Sequence, residues 1–280
     1  MKQIMQSISL VVLAWACWFT APARADQQIF TVSVVPQLAS IQTFRDWTPF
    51  LSRLEQATGY HFKLLAYDQS ALFEKELGQG VPDLVFLNPY QMLLAQKKQN
   101  YRPLVRDSAP LTGILVTRQD SAVKSVADLN GKTIAFPSPN ALAASLYIRA
   151  QLTEKMGIKF NPTYVGSHQN VYRQTIMGDV AAGGGVKKTL EKESAEVQSQ
   201  LKVLFSTPDI APHPLAAHPR VSIAAENKIV DAIFAMRADP EAAKLLTAIQ
   251  MPQPMKADLK RDYAELRQLK LDRYADSQAQ

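Results

Sequence analysis

Four histidines, His61, His168, His213 and His218, and one cysteine, Cys17, are the chain's soft metal-ligating and nucleophilic side chains. No two histidines have the H-E-x-x-H spacing that sets a pair of imidazoles on one helix face around a metal, and no G-x-S-x-G elbow presents a serine. His213 and His218, in His-Pro-Leu-Ala-Ala-His, form a loose pair that would hold a metal only adventitiously. The sequence therefore argues against an enzyme and calls for no cofactor and no dedicated metal. A chemistry that needs only hydrogen-bond donors, the holding of an anion, stays among those to be weighed.

The stretch suited to that chemistry runs from Thr133 to Met156. Thr-Ile-Ala-Phe is β-prone and apolar, as in a short buried strand. Pro137-Ser138-Pro139-Asn140 then forbids either regular structure. Asn140 reads as an N-cap, and Ala141 to Met156 is rich in helix formers, with Gly157 as the stop. Strand, turn and helix in that order aim a helix N-terminus off the end of a sheet, where unpaired N–H groups and the helix dipole favour an anion. Most such turns in α/β proteins bind nothing, so the rest of the chain has to decide. A second unit of the same kind is Asp83-Leu-Val-Phe-Leu87 followed by Asn88-Pro89-Tyr90. It sets Asn88 and Tyr90 at a strand's carboxyl end, where ligands sit in open α/β sheets; Tyr90 reads equally as a boundary aromatic packed beneath its loop. His168, in the turn Gly166-Ser167-His168, is either structural or a ligand contact.

The elements that must position these groups alternate between strand and helix along the chain, which implies an α/β fold with mainly parallel sheets. Phe44, Trp47, Phe50, Leu51 and Leu54 recur at helical spacing before Gly59. Irregular crossings near 113–118 and 207–216 suggest that the chain leaves one lobe, builds a second and returns. The expected division is lobe 1 from 26–113 with 212–280, and lobe 2 from 114–211, around a cleft able to close by hinging. The run Gly183-Gly184-Gly185 lacks dinucleotide-loop spacing and reads as a place of close backbone approach.

Residues 1–25 are of another kind. Lys2, an apolar run from Ile8 to Phe19 and a small-x-small site at Ala23-Arg24-Ala25 describe a cleaved secretory signal. Lipid attachment at Cys17 is the alternative, with Trp15 and Ala14 poorly suited to it. Cleavage removes Lys2 and Arg24 and no acid, so the net charge falls from +6 to +4 and no thiol remains. That balance suits an anionic ligand or simple solubility, and is too small and too evenly spread for nucleic acid. A hydrophobic content of 47% and a charged content of 20% are ordinary for a globular protein.

Four pieces in order carry a family resemblance: Gly80-x-x-Asp83-Leu-Val-Phe-Leu-Asn-Pro-Tyr90; Asp128-Leu-Asn-Gly-Lys-Thr-Ile-Ala-Phe136 with its turn and helix; Val165-Gly-Ser-His168-x-x-Val; and Gly178-Asp179-Val-Ala-Ala-Gly-Gly-Gly185. Together they resemble the PhnD-like phosphonate, phosphate and phosphite periplasmic substrate-binding proteins, of the two-lobe type II periplasmic binding-protein fold. The resemblance implies a small anion held between lobes by Tyr90, by the turn formed by Ser138, Asn140, Ala141 and Leu142, by His168, and by an aromatic that falls at Phe44. It implies a monomer in the periplasm that hands its ligand to an ABC permease or, as the alternative output, docks on a membrane sensor kinase. The chain departs from the pattern at Ala141, Leu142 and Ala143, where such relatives usually offer hydroxyls. It also departs at Phe44, which lacks the tyrosine hydroxyl, and at the Gly183–Val186 run, which replaces an acidic residue. A smaller oxyanion or a less charged organic molecule is compatible with those losses.

Overall fold

The computed structural model describes residues 28–269 and 271–275; the expected signal segment, with Cys17, lies outside them. The chain opens with β1 (Ile29–Val34), α1 (Ser40–Thr58), β2 (His61–Leu65), α2 (Ser70–Gly78), β3 (Leu84–Phe86), α3 (Pro89–Gln99) and β4 (Arg102–Asp107). It continues through β5 (Gly113–Arg118), β6 (Thr133–Phe136), α4 (Tyr147–Ala150), β7 (Asn161–Tyr164), α5 (His168–Met177), β8 (Ala182–Val186), α6 (Lys187–Glu191), α7 (Ala195–Ser199) and β9 (Leu201–Ser206). It ends with β10 (Pro214–Ala217), α8 (Ile223–Ala235), α9 (Pro240–Ala248), β11 (Pro254–Lys256) and α10 (Leu259–Tyr263).

These strands make two sheets, ordered β11-β4-β10-β3-β1-β2 and β7-β6-β8-β5-β9. The two-lobe α/β architecture stands, but the sheets are mixed rather than mainly parallel. β1 runs parallel to β2 and β3, and β6 parallel to β7 and β8. The antiparallel pairs involve β5 and β10, the strands that enter a sheet from the other one, together with β11. Such a strand arrives at the opposite end of its sheet from strands fed by a local helix, so its direction is reversed. The stretch 113–118, where a strand over Ile114–Thr117 and a crossing are both expected, is β5, hydrogen-bonded on both sides within the second sheet. The crossings lie just outside it. Leu111 and Ile210 exchange backbone hydrogen bonds of 2.8 and 3.1 Å, so the outgoing and returning chains run side by side.

Local signals explain most elements. α1 buries Trp47, Phe50, Leu51 and Leu54, one stripe at helical spacing, and stops at Gly59 with φ of 69°. α3 starts with Pro89 and a capping box in which the Asn88 side chain accepts from the Gln91 amide at 2.9 Å, and the Gln91 side chain accepts from the Asn88 amide at 3.2 Å. The helix after β6 begins at Leu142 with a wide π turn and has a second one over Gln151–Lys155, flanking α4. Its cap is Ala141, not Asn140.

That helix start rests on a glycine floor. β8 is buried along its length. A Cβ on Gly184 would collide with the Ala144 carbonyl oxygen and the Phe136 ring, and one on Gly113 with the Ala143 carbonyl. The expected close backbone approach is therefore made by the helix that follows the Pro137–Asn140 turn. Gly184→Ala is expected to cost about 1–3 kcal/mol through overpacking, which at roughly 2–4 °C per kcal/mol is a visible drop in melting temperature. Gly78→Ala, where a methyl meets Lys98 at an ordinary 3.8 Å, serves as the control and should leave the melt unchanged.

Candidate functional site

Between the ends of the two sheets lies a cavity of about 30 Å³. At about 10–15 Å³ per water it holds roughly two water-sized groups. The first sheet contributes Val35, Pro36 and Gln37 after β1, Ser70 at the start of α2, Asn88 and Gln91 at the start of α3, and His213 before β10. The second contributes Pro137, Ser138 and Ala141 to Ala144 from the turn and helix start, His168 at the start of α5, and Val186 at the end of β8. Among these lining residues are two ionisable side chains, His168 and His213, and no Arg, Lys, Asp or Glu.

The turn is held from behind. The Arg149 guanidinium donates to the Pro139 carbonyl at 2.6 Å, to Ser145 Oγ at 3.1 Å and to the Tyr274 carbonyl at 2.7 Å. The first intrahelical bonds run from the Ser145 and Leu146 amides to the Ala141 carbonyl. The amides of Leu142, Ala143 and Ala144 thus precede any helical acceptor, and all three residues line the cavity. Asn140 stands behind the wall. Its Nδ2 donates to Glu74 Oε2 at 2.9 Å, and its carbonyl accepts from Asn88 Nδ2 at 3.1 Å. It bridges the two sheets, and it neither caps the helix nor lines the cavity.

The histidines are enclosed. His168 is 3% exposed and His213 is 7% exposed. The His168 Nδ1 lies 3.5 Å from Thr189 Oγ1, which itself donates to the Val186 carbonyl at 2.7 Å. His213 stacks on Phe86 at 5.4 Å, and its Nε2 is 3.0 Å from Gln37 Nε2. Burial pushes His168 down from 6.5 to about 4. Burial, then the charges of His168 and Lys188, push His213 down to about 3. Both rings are neutral near pH 7.

Of the site residues expected from sequence, the structure brings Ser138, Ala141, Leu142 and His168 together at this cavity. It places Tyr90 elsewhere: the ring is 4% exposed and its hydroxyl donates to Asp272 Oδ1 at 2.9 Å, beside a separate hollow with Leu93 and Leu266. Tyr90 falls on the opposite face of α3 from Asn88 and Gln91, which are one helical turn apart. Phe44 is 46% exposed on α1 and is not part of the lining.

Sequence reasoning passed over Gln37 and left His213 in a loose pair with His218. Strand β10 separates those two histidines, and five extended steps span roughly 16 Å. His218 packs edge-on to Tyr101 at 5.1 Å instead. A histidine flanked by prolines at the returning crossing was the available signal for His213.

The pH dependence of the empty protein follows. The unfolded chain's histidines protonate near 6.5, whereas the folded rings resist protonation until about 4 and about 3. Stability is complete above about pH 6.5 and falls as the pH drops, by up to about 1.4 kcal/mol per unit for each histidine. Thermal melts of ligand-free protein from pH 7.5 to 4.5 should show this loss, and His213→Gln should flatten it.

Comparison with known proteins bears on the site at this point. The family model described as ABC transporter, phosphonate, periplasmic substrate-binding protein matches residues 32–263. No curated protein matches the chain. A binding-protein component of an ABC phosphonate transporter from Pseudomonas aeruginosa superposes with a TM-score of 0.79 at 21% identity, covering 87% of this chain and 86% of that one. PhnD1 from Prochlorococcus marinus, in complex with methylphosphonate, gives 0.77 at 13% identity over 87% and 97%. A Xanthomonas citri protein bound to ATP gives 0.71 at 14% identity over 89% and 100%. At these identities the superpositions establish the type II periplasmic binding-protein fold.

Proposed function

We propose that this chain, which belongs to the family of phosphonate-type periplasmic substrate-binding proteins of ABC transporters, captures a compact phosphonate- or phosphate-like oxyanion between two lobes and passes it to a membrane permease. The lobes are read as 26–113 with 212–280, and 114–211. The observation that carries the reading is that residues 142–144, a helix start whose amides precede any helical acceptor, line one small cavity together with a histidine from each sheet. Amides at a helix start favour negative charge by roughly 0.3–1 kcal/mol, and more when partly buried. A cavity of about 30 Å³ favours an anion with little or no organic substituent. The Prochlorococcus relative is in complex with methylphosphonate, a small anion of the proposed chemical class.

The methyl groups of Ala141 and Ala143 offer no hydroxyl to the ligand, so backbone amides, Ser138 and the imidazoles carry recognition. Transport is the output we favour over docking on a sensor kinase, because the family is a transporter component. Residues 1–25 act on this reading as the signal that delivers the protein to the periplasm.

The test is a thermal-shift screen of the purified mature protein against phosphate, phosphite, methylphosphonate, sulfate and a sulfonate. A ligand at a hundred times its dissociation constant stabilises by about 2.7 kcal/mol, and at least one oxyanion is expected to do so. His168→Ala should weaken the hit by roughly ten- to a hundredfold, the scale of one hydrogen bond to a charged group. Tyr90→Phe, which breaks the bond to Asp272, should leave affinity unchanged. No shift with any oxyanion would remove the reading.

A further inference from the structure

The cavity offers an entering anion no permanent positive charge on its wall. A buried anion among neutral groups is costly unless a counter-charge appears beside it. His168 and His213, from the second and first sheets, are the lining groups able to acquire one.

The hydrogen bonds around His213 permit this. Gln250 Nε2 donates to Gln37 Oε1 at 2.9 Å, and Gln37 Nε2 donates to His213 Nε2 at 3.0 Å, which holds that ring neutral. Amide oxygen and nitrogen have nearly the same shape, so turning over both amides reverses the relay. His213 Nε2–H then donates to Gln37 Oε1, and Gln37 Nε2 donates to Gln250 Oε1. A proton gained by His213 thus finds an acceptor already in place. At His168, Nδ1 lies 3.5 Å from the Thr189 hydroxyl, which is shared with the Val186 carbonyl and the Tyr172 hydroxyl, so that nitrogen meets no charged partner.

The charged neighbours do not supply the missing charge themselves. Lys188, at the start of α6, faces His213 but is paired with the buried Asp107 of β4 at 2.6 Å. Glu74 of α2 lies behind the lining, accepting from Gln91 Nε2 at 3.0 Å and from Asn140. Phe86 stacks on the His213 ring and brings no charge. Burial disfavours protonation of both rings, and His168 adds to this at His213, so the empty cavity rejects protons.

Resting on the oxyanion reading above, we propose that His213 is a ligand-binding, specificity-determining residue, and that capture of the anion draws a proton onto the His168–His213 pair. The complex holds the proton more tightly than the empty protein does, so affinity strengthens as the pH falls. The strengthening is up to about tenfold per pH unit for each proton gained. Anions that stabilise an imidazolium across a short contact gain most, and neutral solutes of similar shape gain nothing.

The experiment is calorimetric titration of the mature protein with phosphite, phosphate and sulfate from pH 5.5 to 8, in buffers of different protonation enthalpy. Wild type and His213→Gln are compared. The ligand's own titration is common to both proteins, so a difference in proton uptake belongs to the histidine. Wild type should take up about one proton more per anion bound than the variant does. The same titration followed by NMR of ring-labelled histidine in wild type needs no variant, and should show an imidazole becoming protonated near pH 7 as phosphite is added. Binding with equal proton uptake in both proteins and neutral rings in the complex overturns this inference and leaves oxyanion capture standing. No binding of any anion at any pH overturns both.

Discussion

The site depends on two missing side chains. The carbonyls of Ala143 and Ala144 can lie against the second sheet only because positions 113 and 184 carry no Cβ. That contact fixes the height of the helix start above the sheet and brings the amides of residues 142–144 to the cavity. Phe136, at the end of β6, packs in the same place and would be displaced by any larger residue at 184. Arg149 completes the arrangement by tying the Pro139 carbonyl and Ser145 to the backbone of Tyr274. The turn is therefore positioned by the sheet beneath it and by the C-terminal tail behind it. Its own sequence supplies only the break in regular structure.

Much of the fold was legible because it rests on short-range signals. Apolar runs, prolines and capping residues mark β3, α3 and the strand-turn-helix after β6, and the ordered family pieces mark how they assemble. The site was legible in part, because a side chain's destination depends on partners far away in sequence. Asn140 has the chemistry of an N-cap, but Glu74 and Asn88 draw it across to the other sheet. Tyr90 lies next to a lining residue in sequence, yet α3 begins at Pro89 and the helical rotation turns it away. The mixed strand directions escaped notice because hydrophobic pattern does not record the end from which a strand enters its sheet. His213 escaped because a lone histidine between prolines has no periodicity to read.

The lining chemistry makes sense of the departures from the family pattern. Where relatives offer hydroxyls, positions 141 and 143 offer methyls, and the Ala143 side of the helix is committed to close contact with the sheet. The polar side chains that reach the cavity from the first sheet include Gln37 and His213, and on the proposed reading these take over polar recognition. A hydroxyl is a donor of fixed strength, whereas an imidazole can change its charge. If the proposal holds, exchanging one for the other trades a site that is always ready for one whose readiness depends on proton supply. The burial that keeps both rings neutral when empty also avoids a standing charge in a small, poorly hydrated space.

The seam between the lobes combines two kinds of contact with opposite consequences for opening. Leu142, Leu146, Tyr147 and Ala150 belong to the same buried apolar cluster as the core of the first sheet. Separating them exposes apolar surface to water, which favours the shut form whatever the cavity holds. The remaining links are polar: Glu74 and Asn88 with Asn140, Lys188 with Asp107, Arg149 with the Tyr274 carbonyl, and Glu154 with the Tyr274 hydroxyl. Water replaces most of such a bond's free energy when it breaks, so these links direct the register of closure more than its strength. The crossings at Leu111 and Ile210 join the two sheets as a two-chain ribbon held by its own hydrogen bonds. On the proposed reading, a ligand held at this seam adds its own contacts to apolar burial that already favours the shut form.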